Sequence, residues 1–280
     1  MTVSAGLALL HIFGVLIAAP VLPWAATASF ALLLIYVAMP AGPAIDGDSR
    51  SLPLLVATAV LVVHAAATMP PASHGARALQ WTPMLGNGEP EPLGVIGERV
   101  FRDACLALLV VTLLLAAVAG RGGAPRRRAL MAGGTAVLLL TGYAAVRIVD
   151  VSVRTAEEAA RSPARLGATV ALVVAVPLAA GLVAVTVGML SAQWSRTAMT
   201  GAALLAVASV GRMDAALSSL PLPYGVVAGN PLFSWTAVPF TSPVPGVVDA
   251  VRTGLEFAGI LLVAAGVSHR AANGRVGEVQ

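Results

Sequence analysis

Apolar runs of about the length needed to cross a bilayer recur along this whole chain, and that recurrence leaves few folds open. A spanning helix takes roughly 20 such residues, with a range of about 17–25. Runs bounded by charge, Pro or Gly lie near 3–19, 24–39, 53–69, 102–120, 129–149, 166–190, 199–219 and 249–268. The remainder cannot make a water-facing surface. Of the 280 residues 58% are hydrophobic and 11% charged, where an ordinary globular domain carries about 25% charged residues. The expectation is all-α: a polytopic transmembrane helix bundle of about eight spans. It forms one transmembrane domain over 1–280, ending in a short cytoplasmic tail at 269–280. Pro20-Val21-Leu22-Pro23 leaves the first pair of runs open. It suits a tight helical hairpin, or equally one interrupted, re-entrant element, which gives seven spans.

Met1–Gly6 lacks the positive region that opens a secretory signal, so the first helix is expected to stay. Arg121, Arg126, Arg127 and Arg128 crowd one short loop, which the positive-inside rule places in the cytoplasm of a cell-membrane protein. The C-terminus then lies on the same side, and the connections 70–98, 150–165 and 220–248 lie outside. Arg154, Arg161 and Arg165 in the middle connection run against that rule. The last connection is nearly free of charge and holds Tyr224, Phe233, Trp235 and Phe240, which suits the headgroup region or a cover over the bundle.

Several function classes drop out. All 17 basic residues are arginine, and no basic run is interleaved with aromatics, so nucleic acid is not an expected partner. The single cysteine, Cys105, excludes an intrachain disulfide and a CxxC centre. No P-loop, HExxH or GxSxG is present, and a stand-alone enzyme is not expected. Glu157-Glu158 with Arg161 lacks the histidines of an intramembrane CAAX-type protease. His11 and His64 fall at opposite depths in the eight-span arrangement, which disfavours a haem between them. The sequence requires no cofactor.

The ionisable residues in the runs collect at the ends expected outside. Glu98, Arg99, Arg102 and Asp103 open the fourth run; Arg147 and Asp150 close the fifth. The seventh contains Arg212 and Asp214, the eighth opens on Asp249, Arg252 and Glu256, and His64 lies near the outer end of the third. Spacings of three or four residues give each arginine of the fourth, fifth and eighth runs an acid on its own helix. Arg99, Arg102, Asp103 and Arg147 are close enough to water to be snorkelling anchors. Arg212, Asp214 and Glu256 sit about 9 Å inside the outer boundary at helical rise, where charges usually face a bundle interior or a water-filled cavity.

The expected substrate-binding set is therefore Arg212, Asp214, Arg252, Glu256, Arg147 and His64, converging on one hydrated recess. The leading expectation is a small-solute transporter or permease component. Arg212 or Arg252 holds an anionic or zwitterionic group, and Glu256 or Asp214 pairs with it or carries a proton. Alternating access also calls for polar lining in the inner half, of which the sequence shows little. The alternatives are a membrane scaffold or assembly factor, whose polar cluster only pairs helices, and an enzyme acting on a lipid-borne substrate. Expected partners are the lipid bilayer and other membrane or extracytoplasmic subunits.

At His64, Gly75-Ala76-Arg77 and Glu98, and again at Arg147 and Gly211-Arg212, the chain resembles quinol-oxidising membrane anchors of the DMSO reductase and polysulfide reductase type. The resemblance implies a respiratory anchor subunit with a quinone as its ligand. It further implies an outer-leaflet pocket lined by His64 and Arg212, and a soluble partner docked on the outer loops. The additional apolar segment 3–19 departs from that pattern and flips the terminus unless it fails to span.

Overall fold

A computed structural model describes residues 2–16, 23–38, 52–67, 92–119, 127–159, 163–218 and 245–273. All of them are helical except a turn at 192–195. The helices are α1 (Thr2–Leu16), α2 (Pro23–Ala38), α3 (Leu52–Ala67), α4 (Pro92–Ala119), α5 (Arg127–Ala159), α6 (Pro163–Ser191), α7 (Arg196–Ser218) and α8 (Pro245–Asn273). In an apolar medium each segment must satisfy its own backbone, and the helix does so without neighbours. Pro23, Pro92, Pro163 and Pro245 each stand first in a helix, where the missing N–H has no partner to lose. Ser195 caps α7 by accepting the Ala198 N–H at 3.1 Å. The N–H groups of Trp194 and Ser195 return to the Ser191 carbonyl, closing the α6–α7 turn.

Among the described residues, five helices are long and apolar enough to cross a membrane, through Phe101–Ala119, Arg127–Val153, Val170–Ser191, Arg196–Leu217 and Ala250–Ser268. The chain is membrane-embedded. Helices α1, α2 and α3 are apolar but only 15, 16 and 16 residues long, about 22–24 Å against a hydrocarbon core of about 30 Å. Residues 17–22 lie outside the described residues, but α1 and α2 are separate helices in contact. Ser4 Oγ donates to the Ser29 carbonyl at 2.9 Å, and Ser29 Oγ donates to the Ser4 carbonyl at 2.8 Å.

Two expectations of loop are corrected. Most of 150–165 is helix: α5 runs to Ala159 and α6 opens at Pro163, leaving 160–162 between them. Reading apolar runs finds only the lipid-facing part of a helix, while Arg154 and Glu158 stand four residues apart, a spacing that supports a helix in water. Likewise α4 begins at Pro92, inside the connection expected over 70–98. The tail also starts as helix, since α8 continues to Asn273.

The neighbours close into a ring. Packing runs α1–α2–α3–α4–α6–α7–α8 and back to α1, while α5 packs mainly on α6 from outside. In the half of the ring nearest the 192–195 turn the interior is solid and apolar: Val118, Val187, Val263 and Val267 are each at most 2% exposed. There α7 and α8 meet through glycine. A Cβ on Gly201 falls 2.6 Å from the Gly259 carbonyl oxygen and 2.7 Å from the Val263 nitrogen. The backbones touch. No larger residue fits that contact without separating the helices.

Candidate functional site

The other half of the ring holds a cavity of about 400 Å³, lined by residues from all seven ring helices and none from α5. On α4 it extends from Asp103 to Val111, on α7 from Leu205 to Ala215, and on α8 from Arg252 to Ile260. These stretches cover about 12–15 Å at 1.5 Å per residue. His64, Asp103, Arg212, Arg252 and Glu256 form its polar end. Phe30, Leu61, Val110, Leu205, Phe257 and Ile260 line the deeper part.

Arg212 organises the polar end. Its Nη2 donates to Glu256 Oε2 at 2.7 Å, and its Nη1 donates to the Asp103 carbonyl at 2.9 Å. One guanidinium thus ties α7 to α8 and α4, with Arg212 20% and Glu256 21% exposed. His64 Nε2 lies 3.7 Å from Asp103 Oδ1, which brings α3 into the same group. The stem of Arg252 lies over Gly211, its Cγ and Cδ 3.5 Å from where a Cβ would stand. Glu256 Oε1 is buried and has no hydrogen-bond partner among the described residues. That atom can accept one more donor, and an unpaired buried acceptor is costly. Counting Arg212, Arg252, Asp103 and Glu256, the formal charges at this end cancel.

His11 lines the same cavity as His64. The expectation that the two lie at opposite depths is therefore corrected, because α1 packs on α8 and carries His11 to the cavity wall. The His11 ring centroid is 5.6 Å from that of Phe257, which stacks on Phe30 at 4.5 Å. Among the described residues no group of three or more His, Cys, Asp or Glu is arranged to hold a metal ion.

The six residues expected at one recess fall into two places. Arg212, Arg252, Glu256 and His64 line the cavity; Arg147 and Asp214 do not. Asp214 is two residues beyond Arg212, about 200° around the helix, and meets α5 instead. Tyr143 Oη donates to Asp214 Oδ2 at 2.7 Å. Arg147 Nε donates to Asp214 Oδ1 at 3.0 Å, and Arg147 Nη1 donates to Asp150 Oδ2 at 3.4 Å. The Arg147–Asp150 pair expected from spacing is present. Asp249, Arg99 and Glu98, the partner expected for Arg102, fall among side chains outside the described set, as does Gly75-Ala76-Arg77.

Asp103 and Tyr143 were not among the expected site residues. Asp103 reads as an anchor because it opens a run, yet its carbonyl and carboxylate both face the cavity group. Tyr143 has a sequence signal, standing four residues before Arg147 on the same face. No protein-family model matches this chain, and no curated protein or solved structure does either.

Proposed function

We propose that this chain is an eight-span cell-membrane protein that binds a small solute in the seven-helix cavity and acts as a transporter or permease component. Loop 121–128 and the C-terminus face the cytoplasm in this proposal, and the cavity opens to the opposite side. One observation carries it: a cavity of about 400 Å³ with the Arg212–Glu256 pair on its wall. Charges this far along a membrane helix generally mark a ligand or ion path. Helices α1, α2 and α3 count as spans because the ring around the cavity is incomplete without them. The balanced charge of the polar end favours a neutral or zwitterionic solute over a simple anion, and Glu256 Oε1 favours one that donates a hydrogen bond. The apolar depth suits a ligand with a hydrocarbon or aromatic body.

A quinol-interacting anchor subunit is the second reading. The solid apolar packing of the ring's other half favours it, since quinol needs to reach only one face, whereas a carrier must open both. The two separate in one experiment. The purified chain is examined by native mass spectrometry and its extract by lipid and quinone analysis, beside an Arg212→Met/Glu256→Leu variant. A retained solute that the variant loses, and that accumulates in proteoliposomes, supports the carrier. A retained quinone with no solute flux supports the anchor. An empty wild-type cavity, with the variant folded and otherwise indistinguishable, leaves the polar cluster a helix-pairing device in a scaffold and overturns both.

A further inference from the structure

The Arg212–Glu256 pair on the cavity wall can come apart from one side. Among the described residues Glu256 is the one carboxylate hydrogen-bonded to the Arg212 guanidinium, through Nη2 at 2.7 Å. Nη1 is held separately, by the Asp103 carbonyl at 2.9 Å. A guanidinium carries five N–H donors in a fixed planar fork. If Glu256 withdraws, the contact with α4 keeps that fork on the cavity wall, with donors to spare for another acceptor.

Glu256 is the member placed to withdraw. Its Oε1 is buried and has no donor among the described residues, so half of the ionised carboxylate goes unserved in a largely apolar wall, which is costly. A proton on Oε1 removes that cost and turns the oxygen into an O–H donor. It also leaves Arg212 without its anion, and a buried charge stripped of its partner is costly in turn. One class of ligand meets both demands.

We propose that the cavity takes a monocarboxylic acid with an apolar body, bound as its carboxylate on Arg212 together with one proton on Glu256. The inference rests on the reading of the cavity as a solute site. The exchange balances. One proton from water joins Glu256, whose carboxylate releases Nη2. The ligand carboxylate takes over Nη2, a second N–H of the fork makes the contact bidentate, and the new Glu256 O–H donates to it. No electron moves, and ligand and proton together add no charge, which agrees with a preference for neutral solutes. The body of the ligand then lies on the same wall of α8, where Phe257 follows Glu256 and stacks on Phe30 at 4.5 Å, with Ile260 one turn deeper. A carrier built this way moves one proton with each acid.

The other titratable or charged groups lining the cavity near Glu256 are Arg212 on α7, Arg252 on α8 itself, Asp103 on α4, His64 on α3 and His11 on α1; α2 brings only Ala26 and Phe30. Both histidines are competing acceptors for the proton, so the test separates them from Glu256. It is isothermal titration calorimetry of the full chain in lipid nanodiscs with phenylbutyrate, beside phenylbutylamine, which has the same body and the opposite charge. Buffers of different ionisation enthalpy count the protons. The wild type is expected to take up about one proton per phenylbutyrate and to lose affinity about tenfold for each pH unit above neutrality. Glu256→Gln, which has the shape of the neutral carboxyl, is expected to bind phenylbutyrate with no proton uptake and no pH dependence. His11→Gln/His64→Gln keeps both, and Arg212→Met/Glu256→Leu binds no more than an empty nanodisc. The proton count on the wild type stands whether or not a variant folds. Binding without proton uptake, uptake that survives Glu256→Gln, or tighter binding of phenylbutylamine overturns the proposal and leaves the cavity a solute site. Absence of binding by both probes overturns it too; whether the cavity holds any solute is read separately, from what the purified chain retains in native mass spectrometry.

Discussion

Arg212 serves three helices at once, and substitutions at it separate a structural role from a ligand-handling one. Arg212→Ala strands a partly buried Glu256 carboxylate whose Oε1 already has no donor. Breaking a fully buried pair costs about 3–5 kcal/mol, and at about one-fifth exposure solvent screening reduces this to roughly 1–3 kcal/mol. A thermal melt in detergent reads it. Replacing both partners, as in Arg212→Met/Glu256→Leu, removes the stranded charge and is expected to restore most of that stability. Tyr143→Phe removes one charge-assisted donor from Asp214 and is expected to cost about 1–2 kcal/mol. It should leave ligand retention in the cavity unchanged, because Tyr143 does not line it; loss of the cavity ligand in this variant would contradict the division into two clusters. Part of that division was legible beforehand. Residues two apart on a helix face opposite ways, so Arg212 and Asp214 could not share a recess on one helix face. Which neighbour each meets depends on the order of helices around the ring, and no local pattern encodes it. The same holds for His11, brought to the cavity by α8 against α1.

At the scale of the element, most of the helical content was readable because lipid enforces one answer for each apolar run. The ends were not. Helices α4, α5 and α8 extend into polar sequence, where charge spacing and an opening proline carry the signal in place of hydropathy. Packing between elements was less readable still. Glycines are abundant throughout, yet only some stand where two backbones meet. Gly201 and Gly259 face each other across α7 and α8, whereas a Cβ at Gly134 or Gly142 on α5 meets nothing within 4 Å. Gly201→Ala and Gly259→Ala are therefore expected to destabilise by about 1–3 kcal/mol, as overpacking does. Gly134→Ala and Gly142→Ala are expected to be neutral, or to stabilise by up to about 1 kcal/mol through helix propensity. Melting temperatures of the four variants settle the contrast, and equal shifts would show that the α7–α8 contact does not hold the ring closed.

Taken whole, the molecule divides its interior between a polar-ended cavity and a solid apolar half, with one helix left outside the ring. That division makes a prediction about water. On α4, Ala107 lines the cavity, Leu109 is 47% exposed on the other side, and Ala117 is wholly buried in the packed half. Cysteine reacts as its thiolate, which forms only where water reaches it. In a Cys105→Ser background, with the chain in vesicles, a small polar thiol reagent should modify Ala107→Cys readily. It should leave Leu109→Cys, which faces hydrocarbon, unmodified, and should modify Ala117→Cys, which faces side chains in this structure, each time the packed half opens in the transporter reading. A ligand seated against Arg212 and Glu256 should slow the reaction at 107 alone. Equal modification at 107 and 109 would mean that α4 does not separate cavity from lipid. Rapid modification at 117 would mean that the packed half opens to water, as a carrier requires and a one-sided anchor does not. The same three positions therefore report both on the ring and on the choice between the two functional readings.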